Sequence, residues 1–134
     1  MSYMKYMKKT TIAEVLAEVD EIKPNTYDDN MKIKWLAELD QKIFNDVIAT
    51  HVITDDISLE DIAEYSEANM NKELFVPFPY SDLYRNYVFA MIDYSNGETD
   101  RYQNSMIMFN TSYQSYTAWY NRTHRPISKP LKLF

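Results

Sequence analysis

The chain has 134 residues, of which 46% are hydrophobic and 25% charged, the size and make-up of one domain with a buried core. It has one glycine, Gly97, and no cysteine. This excludes a Rossmann fingerprint or a P-loop, which need several glycines for close approach to phosphate, and equally a disulfide framework, a zinc ribbon or a thiol nucleophile.

Residues 1–10 read as a loose arm containing Met and Lys. Thr11 and Glu14 stand at capping-box spacing, and Ile12, Val15, Leu16 and Val19 then mark one face of a first helix. Pro24 stops it. Asp28 and Asp29 open a second helix at its positive dipole end, predicted to run to about Thr50. Leu36, Leu39, Ile43 and Val47 form its core stripe, widened by Ile33, Trp35, Phe44 and Ile48, with Lys34, Glu38 and Lys42 on the outer face. His51–Ile57 reads as a loop, and Ser58 as the cap of a short helix to about Glu67. Pro77 and Pro79 argue against both helix and inner strand for Leu74–Tyr80, which is expected to lie extended across the bundle.

Ser81 and Asp82 start a third helix with Leu83, Tyr87, Ala90, Met91 and Tyr94 on one stripe. Asn96-Gly97 is the one strong turn signal, with Gly97 expected in the left-handed position after the last turn. A fourth helix follows from about Thr99 to Arg122. Its stripe, Tyr102, Met106, Phe109, Tyr113, Tyr116 and Tyr120, repeats at spacings of four and three. Pro126 and Pro130 then leave an extended arm ending in Leu131, Leu133 and Phe134. The fold class is all-α: a bundle of about four helices with an antiparallel hairpin, residues 1–122, and an extended basic C-terminal arm, residues 123–134, that leaves the bundle.

The net charge of −6 divides unevenly. All twenty acids lie in residues 1–100, against nine bases, a balance of −11. Residues 101–134 carry no acid and five bases, Arg101, Arg122, Arg125, Lys129 and Lys132. Such a tail suits an acidic partner, including a second copy of the acidic body. No stretch reads as a signal peptide or a membrane span, since Leu74–Tyr80 and Tyr87–Ile92 fall far short of the roughly 20 apolar residues a bilayer needs. A soluble protein assembled in a reducing cytoplasm is expected, with no membrane partner.

Chemistry is sparse. His51 with Asp55 and Asp56 offers mixed imidazole and carboxylate ligands, the basis of a remote metal-dependent hydrolase reading. The plainer reading is a helix-end histidine at the negative pole of the second helix, followed by solvated loop acids. His124 lies in the basic run Asn121–Arg125, suited to phosphate or an acidic partner and without a carboxylate to orient it as a base. Glu14, Glu18, Glu38 and Asp40 read as surface charges. The aromatic stripe reads as core or subunit interface; a stacking platform for single-stranded nucleic acid is disfavoured by the acidic body.

Several words of the chain, in order, carry a family resemblance. They are Ile22-Lys23-Pro24-Asn25, Lys34-Trp35-Leu36, Glu38-Leu39-Asp40, Val76-Pro77-Phe78-Pro79-Tyr80, Ile92-Asp93-Tyr94 with Asn96-Gly97-Glu98, Arg101-Tyr102 with Asn104, Met106–Asn110, and Tyr120–His124 with Pro126. In these the chain resembles the head–tail connector, or adaptor, proteins of long-tailed bacteriophages, over residues 22–126. The resemblance implies a non-enzymatic virion protein without cofactor or metal. It would form a ring, usually of twelve copies, on the portal protein, extend the channel through which double-stranded DNA passes, and dock the next neck or tail-completion protein. The arm would reach the portal or a neighbouring copy through Arg122, His124, Arg125, Pro126, Ile127, Lys129, Pro130, Leu131, Lys132, Leu133 and Phe134. Loss of residues 123–134 would then abolish docking and leave helical circular dichroism intact. The alternatives are a tail-completion protein or an inhibitor of a host factor.

Overall fold

In the computed structural model, which describes residues 7–53 and 56–127, Thr11 caps α1 (Ile12–Ile22) through the reciprocal box with Glu14 read from the sequence. Ile12, Val15, Leu16 and Val19 are all buried. Asp28 caps α2 (Asp29–Asp46) by accepting from the Met31 N–H. This helix ends four residues before the predicted Thr50. Val47 closes it, and a separate 3-10 turn, Ile48–Thr50, follows. Ser58 caps a short 3-10 helix, Leu59–Glu64, with Asp61 completing its box. Next come a 3-10 turn, Glu67–Asn69, then α3 (Asp82–Ser95) and α4 (Thr99–Thr123). Among the described residues there is no named strand, and the fold is an all-α bundle.

The α3–α4 hairpin is the most extensive packing in the bundle, and α1 and α2 also pack on α3. Gly97, at φ +73°, makes the tip. Its N–H donates to the Tyr94 carbonyl and the Glu98 N–H to the Asp93 carbonyl, the double bond that closes a helix at a left-handed residue. On α4 the expected stripe is inward, with Phe109, Tyr116 and Tyr120 buried and Tyr102, Met106 and Tyr113 half-buried. On α3 the single stripe was too narrow. As the central helix it also buries Tyr84, Asn86, Val88, Ile92 and Asp93, while Tyr94, in the last turn, is 65% exposed.

Leu74–Tyr80 is neither helix nor strand and crosses the bundle with Leu74, Phe75 and Val76 buried, but it is not extended throughout: it bends at Phe75–Val76, and Phe78–Tyr80, with a cis Phe78–Pro79 peptide, turns where the Tyr80 N–H donates to the Pro77 carbonyl. The segment preceding α1 is not loose where it is described. The Leu74 N–H donates to the Thr10 carbonyl and the Phe78 N–H to the Lys8 carbonyl, while the Ile12 and Ala13 N–H groups, orphaned at the start of α1, donate to the Lys72 and Met70 carbonyls.

Asp40 corrects the sequence reading: it is a core residue, not a surface charge, with 0% of its area exposed. Tyr84 O–H donates to Oδ1 at 2.6 Å, while Tyr65 O–H and the Phe75 N–H donate to Oδ2. Tyr84 in turn accepts from the Val76 N–H at 2.8 Å. One carboxylate thus pins the segment Leu74–Tyr80 to α2 and α3. Lys32, 2% exposed, pairs with Asp20 at 2.7 Å, and Lys23 pairs with buried Asp93 at 2.6 Å. These pairs tie α1 to α2 and α3.

Candidate functional site

The residues expected to bind a partner gather where α4 ends. Thr123 belongs to the last turn of α4, so the helix continues past the expected boundary at residue 122. His124 is buried, at 7% exposure, rather than presented to solvent. Its ring stacks flat on Tyr120, with centroids 3.7 Å apart and 3° between planes, and meets Trp119 edge-on. Trp119 in turn stacks on Tyr80, in the turn before α3, at 5.1 Å. His124 Nδ1 lies 2.9 Å from the Thr123 hydroxyl.

His51 packs on the same Tyr120 ring at 4.9 Å. Its Nδ1 is 2.8 Å from the Val47 carbonyl, an acceptor, which places a proton on that nitrogen. Nε2 faces the Asn121 side-chain amide at 2.9 Å. Both ring nitrogens are therefore engaged within the protein, as a helix-end histidine should be. Asp56 is exposed, Asp55 lies outside the described residues, and among the described residues no three His, Asp or Glu side chains come together in a way that could hold a metal ion.

The arm does not leave the bundle at once. The Val52 N–H donates to the Arg125 carbonyl at 2.7 Å, and the Ile127 N–H to the Thr50 carbonyl at 3.1 Å, with His51 and Pro126 opposite one another in antiparallel register. Proline donates no N–H, and at this position none is needed. The expectation that residues 123–134 project as a free arm is thus corrected for 123–127. Tyr120 offers a flat ring face that His124 covers, His51 stands at right angles to both rings, and two backbone bonds hold the residues that follow. Lys129, Pro130, Leu131, Lys132, Leu133 and Phe134 lie outside the described residues.

What the junction leaves on the surface is basic and apolar. Arg122 and Arg125 are exposed. Val52, Ile53 and Ile127 are exposed too, at 44%, 43% and 51%. The contribution of Val52 and Ile53 was missed, because they stood in a stretch read only as loop. Their signal was an apolar pair between polar neighbours, with no helical or strand period to explain it. Of the hairpin tyrosines, Tyr87 packs on Phe109 and the exposed Tyr94 on Tyr102 across the hairpin, whereas Tyr84 is buried and turns the other way to Asp40.

Comparison with known proteins found no match to this chain among protein-family models, curated proteins or solved structures. No helix among the described residues is long and apolar enough to cross a membrane.

Proposed function

We propose that this chain is a structural protein of a bacteriophage neck, a connector that forms a ring on the portal and joins head to tail. The observation that carries the reading is the end of α4, where exposed Arg122 and Arg125 stand beside exposed Val52, Ile53 and Ile127. The surface is both basic and apolar, on a body whose first hundred residues balance at −11. Apolar anchors with flanking arginines are what a protein docking surface requires. Some of the words that resemble the connector family fall on structural joints, namely the turn Val76–Tyr80, the hairpin tip Asn96-Gly97-Glu98 and the junction Tyr120–Pro126, while Lys34–Leu36, Glu38–Asp40 and Met106–Asn110 lie within α2 and α4. In this reading the partners are the portal protein, neighbouring copies and the next neck protein, and the acidic body repels DNA so that it slides past.

The test is co-sedimentation with portal rings of the same phage, together with the composition of purified virions. The protein is expected in virions at ring stoichiometry and bound to portal rings. Arg122→Glu with Arg125→Glu is expected to abolish binding with helical circular dichroism unchanged. Absence from virions, or wild-type portal binding by the reversed variant, would overturn the reading.

A further inference from the structure

Opposite its buried aromatic stripe, α4 carries a second row that faces solvent. Asn104, Ile107, Thr111, Gln114, Ala118 and Asn121 are all exposed, Ile107 at 64% and its neighbour Met108 at 57%. Their spacings of three and four are those of a heptad seam. From Tyr102 to Asn121 no residue is charged, although the chain as a whole is 25% charged. The outward sides of the other outer helices are charged, with Glu18 and Glu21 exposed on α1 and Lys34, Glu38 and Asp46 on α2. Loss of charge around exposed apolar side chains marks the core of an interface rather than a solvated helix face.

We propose that this outward face of α4 binds the same face of a second copy of the chain, antiparallel, and makes the free protein a reversible dimer. Charge selects a second copy as the occupant. Two copies at −6 repel where their charged sides meet, and on this face they touch without that cost. Register selects it too. Turned end for end against itself, the row matches throughout: Ile107 meets Ala118 of the second copy, Thr111 meets Gln114, and Asn104 meets Asn121. Each pair occurs twice, about a two-fold axis that passes between Ser112 and Tyr113, as an isologous contact requires. The largest apolar side chain of the row thus lies over the smallest, and amide lies against amide at both ends. Extent sets the strength. From Asn104 to Asn121 the seam is about 26 Å long on a helix about 10 Å wide, less than the roughly 800 Å² a side of a standard interface, so the dimer dissociates on dilution. A two-fold contact closes at two copies and builds no ring; it belongs to the protein before assembly and goes beyond the connector reading.

In sedimentation of the free full-length protein across a concentration series, the mass is expected to rise from one copy, 16.0 kDa, toward twice that and no further. Thr111→Glu with Gln114→Glu sets four like charges at the two-fold axis. That variant is expected to stay at one copy throughout with helical circular dichroism unchanged, since the Thr111 hydroxyl donates to the Ile107 carbonyl of its own helix and joins no other element. The chain has no cysteine, so disulfide formation reads the register. Mild oxidation of an equal mixture of Ile107→Cys and Ala118→Cys is expected to link the two variants to each other. Neither should link to itself, because equivalent positions then lie about 16 Å apart along the helix axis, beyond the reach of a disulfide. A protein that stays monomeric, growth beyond two copies, a dimer that tolerates the glutamates, self-linking by either variant, or a mixture that fails to link would each overturn the proposal. None of them bears on portal binding.

Discussion

Asp40 shows how one side chain can both hold the core and make it sensitive to pH. Burial raises its pKa to about 6, and the hydrogen bonds from Tyr65, Tyr84 and Phe75 oppose that rise without cancelling it. The folded protein therefore binds a proton more tightly than the unfolded chain, whose carboxyl titrates near 3.8. Stability contributed by this group then rises as pH falls from about 6 toward 4 and is lost as pH climbs back through 6. Asp40→Asn keeps the shape but offers one oxygen where three donors converge, stranding at least one of them. A loss of about 1–3 kcal/mol is expected at pH 7. The gap between wild type and variant should widen as pH is lowered from 7 to 4, because only the wild type gains from protonation at this position. Urea unfolding of both proteins across that range tests the sign: a gap that narrows would contradict the assignment.

At the scale of elements, the α3–α4 hairpin turns on Gly97. A Cβ built there meets nothing within 4 Å, so substitution costs only the left-handed backbone. Gly97→Ala is expected to destabilise by about 1 kcal/mol, and Gly97→Asn by less, since asparagine tolerates that region. Thermal unfolding that found alanine and asparagine equal would point to another origin for the cost. The hairpin is also joined by polar contacts along its length. Asn86 donates to Ser112 at 2.8 Å, and Ser105 donates to Asp93 at 2.7 Å. These fix the register of two helices whose shared surface is otherwise aromatic.

For the whole molecule, the junction at the end of α4 decides where the chain can be cut. Ending it at Thr123 removes His124 from the Tyr120 ring and both backbone bonds to residues 50–52. One aromatic pair and two hydrogen bonds, with the apolar area they cover, amount to about 2–4 kcal/mol. A lower melting temperature is therefore expected for that truncation, although a deletion of residues 123–134 read from sequence alone would be neutral for the fold. Ending the chain at Ile127 preserves every one of these contacts and should melt above the truncation at Thr123. Equal melting of the two truncations would show that the stacked junction contributes little.

Helix positions were legible from the sequence because they depend on neighbours in the chain. Thr11 with Glu14, Asp28, Ser58 and Gly97 act within a few residues of themselves, and the stripes of α1 and α4 follow the helical period. The burial of Asp40 was not legible, since an acid on a helix reads as solvated unless its donors are known. Here they come from positions 65, 75 and 84, brought together by the tertiary packing. The same holds for His51 and His124, seventy-three residues apart in sequence and both packed on the Tyr120 ring, His124 flat on it and His51 at right angles to it. The charge division between body and tail was fixed by composition. Where the tail begins was decided by the tertiary structure, because an aromatic surface and two free backbone partners at residues 50–52 hold four residues that sequence pattern alone assigned to a free arm.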